Sequence, residues 1–289
     1  MAVYEQTYRR YQGPETPRTL RFLVIPRYAY QRLSGSKVWW VLLAASGLTT
    51  LVFAVLIYLR HNTRALAVFG ITASDFAEIL PVEGGFFATF LGIQFFIGFL
   101  VVLLAGPPLI SMDLANGALP LYLARPIGRV EYAAGKFVVL GAALSLLTWV
   151  FGLGLFGLQA TLEGDGWLAD HLRLGAALLV GSWVWIVVLS LLTLALSALI
   201  RWPLAVRGVL LSLFLLLPGF GQAIYHGMGE RWGLLLDPGA VFETMVRGLF
   251  GLSITDGPPL AGVWTVLAGV VVVSVAILAR RLRAYEVVS

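Results

Sequence analysis

The chain has no cysteine, two lysines against 18 arginines, and charged side chains at only 12% of its 289 residues, where soluble domains carry roughly 25%. The missing cysteines exclude disulfides, thiol catalysis and thiolate metal sites. His61, His171 and His226 stand singly near the ends of apolar stretches, the pattern of interfacial polar residues, so no metal site is expected. A phosphate-cradling loop needs Gly, four residues, then Gly-Lys and Ser or Thr. The nearest approach, Gly128 to Phe137, has six residues between its glycines and Phe137 after Lys136. With no acid, base or nucleophile constellation in its apolar stretches, the chain is not expected to be an enzyme on its own.

Hydrophobic residues make up 59% of the sequence, and the mean hydropathy is +0.89. Six long windows are free of Asp, Glu, Lys and Arg: 38 to 59, 84 to 112, 137 to 162, 174 to 200, 208 to 229 and 257 to 279. Each meets the ~20 residues that carry a helix across the hydrocarbon core. They are apolar all round, without the alternation of barrel strands. The expected fold is therefore an all-α membrane protein with six transmembrane helices at about 38–59, 86–110, 137–160, 174–200, 208–226 and 259–279. The windows hold no ionisable residue except His226, which argues against an ion-coupled pump.

Basic residues set the orientation. Fifteen of the 20 fall on one side, in the N-terminal stretch, the second and fourth connections and the C-terminal end, while ten of the 15 acids fall on the other. Both termini are thus expected to be cytoplasmic, and the net charge of +5 reads as topology, not as a nucleic-acid surface. Residues 1–37 read as a cytoplasmic tail and elbow, 38–280 as the transmembrane domain and 281–289 as a cytoplasmic tail. A long basic stretch before the first window excludes a cleaved secretory signal. The arginine excess reads as codon bias in a GC-rich genome and carries no functional weight; the expected location is the inner (plasma) membrane of a bacterium.

From Leu20 to Trp40, aromatic and aliphatic residues mix with Arg21, Arg27, Arg32 and Lys37, as in an amphipathic interfacial elbow, with Pro26 interrupting it. In the last outer loop Asp237 can cap a helix and Pro238 suits its first turn. Phe242, Met245, Val246, Leu249 and Phe250 then share one apolar face, with Glu243 and Arg247 paired on the other, predicting an outer lid helix. Polar residues within the windows, including Ser46, Ser190, Thr193 and Ser197, read as helix–helix glue. Thr50 and Gln94 read either as such glue or as lining for the path of a lipid-like substrate.

The second connection runs SMDLANGALPLYLARPIGRVEYAAGK from Ser111 to Lys136. Asp113 is expected to start a short helix, Arg125-Pro126 to break it, and Arg129 to Lys136 to lead into the third span. Asp113, Gly117-Ala118-Leu119, Leu121, Leu123, Arg125-Pro126, Arg129 and Gly135-Lys136 resemble the loop of the permease subunits of the ABC-2 type family of ABC transporters. Ala118 stands where that family usually has Thr, Gly128 where it has Ser, and Pro120 falls in what is commonly a continuous helix. The resemblance implies that this loop is a cytoplasmic coupling helix between the second and third spans. Asp113, Gly117, Leu119, Arg125, Pro126, Arg129, Glu131 and Lys136 would couple it to a separate cytosolic ABC-type ATPase, which binds ATP and Mg. It further implies a second permease subunit, identical or closely related, and export of an amphipathic, lipid-linked or otherwise hydrophobic substrate. The alternative is an ABC-2-like anchor or scaffold that holds partners without moving solute. Membrane lipid is an expected partner in either case, and nucleic acid is not.

Overall fold

The computed structural model describes residues 23–62, 81–118, 128–164 and 166–283. Among these there is no strand, and six helices are long and apolar enough to cross a membrane. The architecture is that of a multi-pass membrane protein.

A helix α1 (Val24–Ser34) precedes the first span, α2 (Lys37–His61). The second span is made of α3 (Gly84–Ala105) and α4 (Pro108–Ala115), joined at Gly106-Pro107. The third runs through α5 (Arg129–Ser145), a π-helical turn (Leu146–Val150) and α6 (Phe151–Glu163). A short helix α7 (Trp167–Asp170) leads to the fourth span, α8 (Leu172–Leu199). The fifth comprises α9 (Pro203–Leu215) and α10 (Leu217–Met228), and a 3-10 turn (Arg231–Leu236) leads to α11 (Pro238–Phe250). The sixth is α12 (Leu260–Arg283).

The fourth span is the hub of the bundle. Of its most apolar stretch 61% is buried, against 17% for the first, fifth and sixth spans, so α8 is the most enclosed span while those three turn most of their surface outward. α2 offers the bundle one stripe, Trp39, Ser46, Phe53 and Ile57. Phe53 meets Phe86 and Phe90 of α3 at ring-centroid distances of 4.8 and 5.3 Å. Cross-span contacts collect Tyr30, Asp113, Lys136, Ser197 and Arg207 at one end, hereafter the basic end. His61 and Glu163 meet at the opposite end, at 2.7 Å.

Several helix limits differ from those expected. The third span begins at Arg129, not near 137, and the fifth at Pro203, not 208. Lys136 and Arg207 therefore lie inside helices; each has a partner within the bundle, so its charge does not force the chain out. Pro26 does not interrupt α1. It occupies the third position of the helix, in the first turn, where no intrahelical acceptor awaits its missing amide hydrogen. Asp113 does not start a helix but lies in the last turn of α4, because the helix opens earlier, at Pro108.

Helix α11 forms as its sequence predicts. Asp237 Oδ1 accepts from the amides of Gly239 (2.8 Å) and Ala240 (3.2 Å), and Arg247 Nε donates to Glu243 Oε1 at 2.9 Å. Phe242, Met245, Val246 and Phe250 are buried, while Leu249 is half-buried over Gly181 of α8. Asp237→Ala removes the cap and should destabilise the fold by about 1 kcal/mol, read as a lowered unfolding midpoint in mixed micelles.

Candidate functional site

The second span is jointed. Pro107 and Pro108 have no amide hydrogen, so the carbonyls four residues back, those of Leu103 and Leu104, lose their helical donors. Arg207, in the second turn of α9, donates Nε to Leu103 O at 3.0 Å and Nη2 to Leu104 O at 3.5 Å. On the other side of the break the Ser197 hydroxyl of α8 donates to Pro107 O at 2.7 Å. Ser197 Oγ in turn accepts from the amides of Ile110 (3.2 Å) and Ser111 (2.9 Å). Ser197 thus serves as an N-cap supplied by a neighbouring helix. At Gly106 an added Cβ would lie 2.4 Å from Thr193 Cγ2, so only glycine lets α3 and α8 approach this closely.

One turn beyond the joint a half-buried clasp ties α4 to α5. Asp113 Oδ2 accepts from the Tyr132 hydroxyl and from Lys136 Nζ, both at 2.7 Å. Tyr132 is fully buried and Lys136 is 7% exposed, with Nζ 5.2 Å from the Tyr132 ring centroid. Tyr132 and Lys136 are i and i+4 on one helix face, which is why both reach the same carboxylate oxygen. Glu131, in the first turn of α5, accepts from Gly128 N at 2.9 Å and so caps the helix that carries them. Gly117 ends α4 with φ of +63°, a conformation that glycine adopts without steric cost. Leu119, Arg125 and Pro126 lie outside the described residues.

Helix α1 joins the same cluster. Tyr30 donates its hydroxyl to Val139 O at 2.6 Å, and Arg32 Nη2 approaches Met112 Sδ at 3.3 Å. Burial pushes the Tyr30 phenol up from 10.0 to about 12, so it keeps the proton it donates. Arg27, Arg32 and Lys37 are exposed, and Arg21 lies outside the described residues.

Thr50 and Gln94 come together, but as a link between spans. Gln94 is fully buried. Its Oε1 accepts from Ser46 Oγ at 2.7 Å and its Nε2 donates to Ser46 O and Thr50 Oγ1, each at 3.2 Å. Neither residue lines the cavity of about 660 Å³ between α3, α8, α9 and α11. That cavity has aromatic walls, Phe95, Phe96 and Phe99 from α3, Trp185 from α8, Phe214 from α9 and Phe242 from α11. Phe95 stacks on Trp185 at 4.5 Å and 3°. The Glu243–Arg247 pair borders it, and its size falls within the ~300–1,000 Å³ of small-molecule sites.

No family model matches this chain, and no curated protein does either.

The geometry thus gathers Asp113, Glu131 and Lys136 of the expected coupling set around α4 and α5, with Arg129 opening α5. Tyr132, Tyr30 and Arg207 were not expected in the site. A Gly-Pro-Pro run inside an apolar window was the available signal for the joint, since such a break exposes carbonyls that something must satisfy. Tyr132 could have been found from its i, i+4 relation to Lys136. Arg207 had no such local signal.

Lys136→Met leaves the half-buried Asp113 carboxylate without its cation and should cost about 1.5–3 kcal/mol. Asp113→Asn together with Lys136→Met should recover a large part of that loss, which a double-mutant cycle in mixed-micelle unfolding measures. Tyr30→Phe should cost about 1 kcal/mol. Because the folded-state phenol is raised, the stability from Tyr30 is complete below pH 10.0 and is lost as pH rises through about 12. Tyr30→Phe should remove that alkaline component from the pH profile of unfolding.

Proposed function

We propose that this chain is the membrane-spanning subunit of an ABC-2 type transporter, a permease driven by a separate cytosolic ATPase that docks at the basic end. The observation that carries the reading is the Asp113–Tyr132–Lys136 clasp, which fastens the second and third spans together on either side of the loop bearing the family-like motif. A docking loop transmits force only if its flanks are rigid. Here the two flanks are tied to each other by Asp113, Tyr132 and Lys136, and α1 is tied to the same block through Tyr30.

Nucleotide binding and hydrolysis belong to the partner, which supplies the closing force. Motion delivered to the α4–α5 block tilts α4 about Gly106-Pro107-Pro108, where helical continuity is replaced by side-chain bonds from α8 and α9. The aromatic cavity beneath α11 supports an amphipathic, lipid-linked or otherwise hydrophobic substrate, with α11 as the element that covers its outer side. A second copy, or a close relative, completes the path.

The test is co-purification with the ATPase chain encoded beside this one. Arg129→Glu and Glu131→Arg should each reduce recovery of the ATPase about tenfold, equivalent to 1.4 kcal/mol, while Glu131→Gln, which can still accept from Gly128 N, should not. Wild-type stoichiometry in both charge reversals sinks the docking assignment. Substrate-stimulated ATP turnover in vesicles separates an exporter from a scaffold, which would show none.

A further inference from the structure

The first and third spans finish side by side at the end opposite the basic one. α2 closes on His61 and α6 on Glu163, so two helix C-termini meet there, each with last carbonyls that lack an intrahelical donor. His61 bridges them. Its Nε2 lies 2.7 Å from Glu163 Oε2, and its Nδ1 lies 2.9 Å from Ile57 O, one turn earlier on its own helix. Glu163 is held in turn by Gln159, which is 1% exposed and donates Nε2 to the same Oε2 at 2.9 Å. The carboxylate oxygen that meets the imidazole is therefore positioned by a buried group.

Both ring nitrogens thus face acceptors, one a backbone carbonyl and the other a carboxylate. A neutral imidazole has one N–H and one lone pair, so it satisfies one of these oxygens and turns a lone pair on the other. With a hydrogen on each nitrogen it satisfies both. The place also suits a cation, since positive charge is favoured in the last turn of a helix and two last turns adjoin here. On the elements packed against α2 and α6, the other ionisable groups at this end, among the described residues, are Tyr58 and Arg60 of α2, Glu83 ahead of α3, Asp170 of α7, and His171 and Arg173 at the start of α8. The π-helical turn has none, and α1 lies at the basic end.

We propose that His61 and Glu163 form a pH-sensitive latch between the first and third spans, closed when both imidazole nitrogens carry hydrogen and released when one of them loses it. Histidine is the side chain that ordinarily changes charge between pH 5 and 8, a range over which carboxylates ordinarily stay ionised. The latch therefore holds at the acid side of that range and is lost as pH rises through it. Release is local. One turn before His61 the Ile57 side chain is fully buried, and two turns before it Phe53 packs on Phe86 and Phe90. The body of α2 stays docked while its last turn comes away from α6.

The chain has no cysteine, so two introduced ones report on the latch without background. Tyr58→Cys and Thr161→Cys, at exposed positions of α2 and α6, are spin-labelled in the full chain in mixed micelles. The distribution of distances between the labels is measured by double electron–electron resonance at pH 5.5 and pH 8. The ratio of the short-distance to the long-distance population should fall about threefold between the two, the middle of the range for a part-exposed ion pair. His61→Gln and Glu163→Gln should each remove this response, whereas Arg60→Gln, Glu83→Gln and His171→Gln should keep it. A ratio that does not change with pH, a response that survives in His61→Gln or Glu163→Gln, or one that disappears in Arg60→Gln, Glu83→Gln or His171→Gln would overturn the latch. The measurement involves no ATPase and no substrate, so its outcome is independent of the proposed function.

Discussion

A buried peptide group must find a partner inside the protein, and at Pro107-Pro108 the second span breaks that rule twice in succession. Ser197 and Arg207 at the basic end are placed to make the repair. The fifth span contributes an arginine whose two nitrogens reach the two freed carbonyls, and the fourth contributes a serine that serves as donor and acceptor at once. Four helices are thereby held in register by groups that would otherwise be liabilities. A straight, proline-free helix would need neither Arg207 nor Ser197, and would leave α8 and α9 without a polar tie to the second span there.

The clasp one turn away follows different energetics. A buried ion pair recovers little net stability over an apolar replacement of similar volume, because desolvation offsets most of the attraction. Its strength lies in specificity. Asp113 has two donors on one oxygen, and slipping α4 by a residue would swing that carboxylate about 100° around the helix and lose both. The ion pair therefore fixes the relation of α4 to α5, and with Glu131 capping the latter the block has one arrangement.

What was legible in the sequence was whatever short-range patterning specifies. The six spans were evident from hydrophobic runs, and α11 from its cap, its proline and its face periodicity, because each signal lies within one continuous stretch of the chain. Helix limits failed where charges are paired across the bundle: Lys136 and Arg207 look like loop residues until Asp113 and the carbonyls of Leu103 and Leu104 are placed beside them. Asp113 was identified as a site residue but assigned to the wrong end of its helix, since an acid ordinarily favours a first turn and only the distant Lys136 explains one in the last. Gln94 was left between two roles, and its amide bonds Ser46 and Thr50 on both sides.

The aromatic cavity and the joint share their helices. Phe99 lies seven residues from Gly106 on α3, and Phe214 seven from Arg207 on α9, so each pair occupies nearly one face about 10 Å apart. Phe99 and Phe214 themselves touch, with ring centroids 4.3 Å apart. α8 carries Ser197 to the joint and Trp185 to the cavity. Tilting α4 strains bonds anchored on α8 and α9, and those two helices form cavity walls at their other contacts with α3. Long-range coupling requires an element with two arrangements that both sites bias. At the joint the ties are side-chain bonds from Ser197 and Arg207, not the backbone bonds that hold α3.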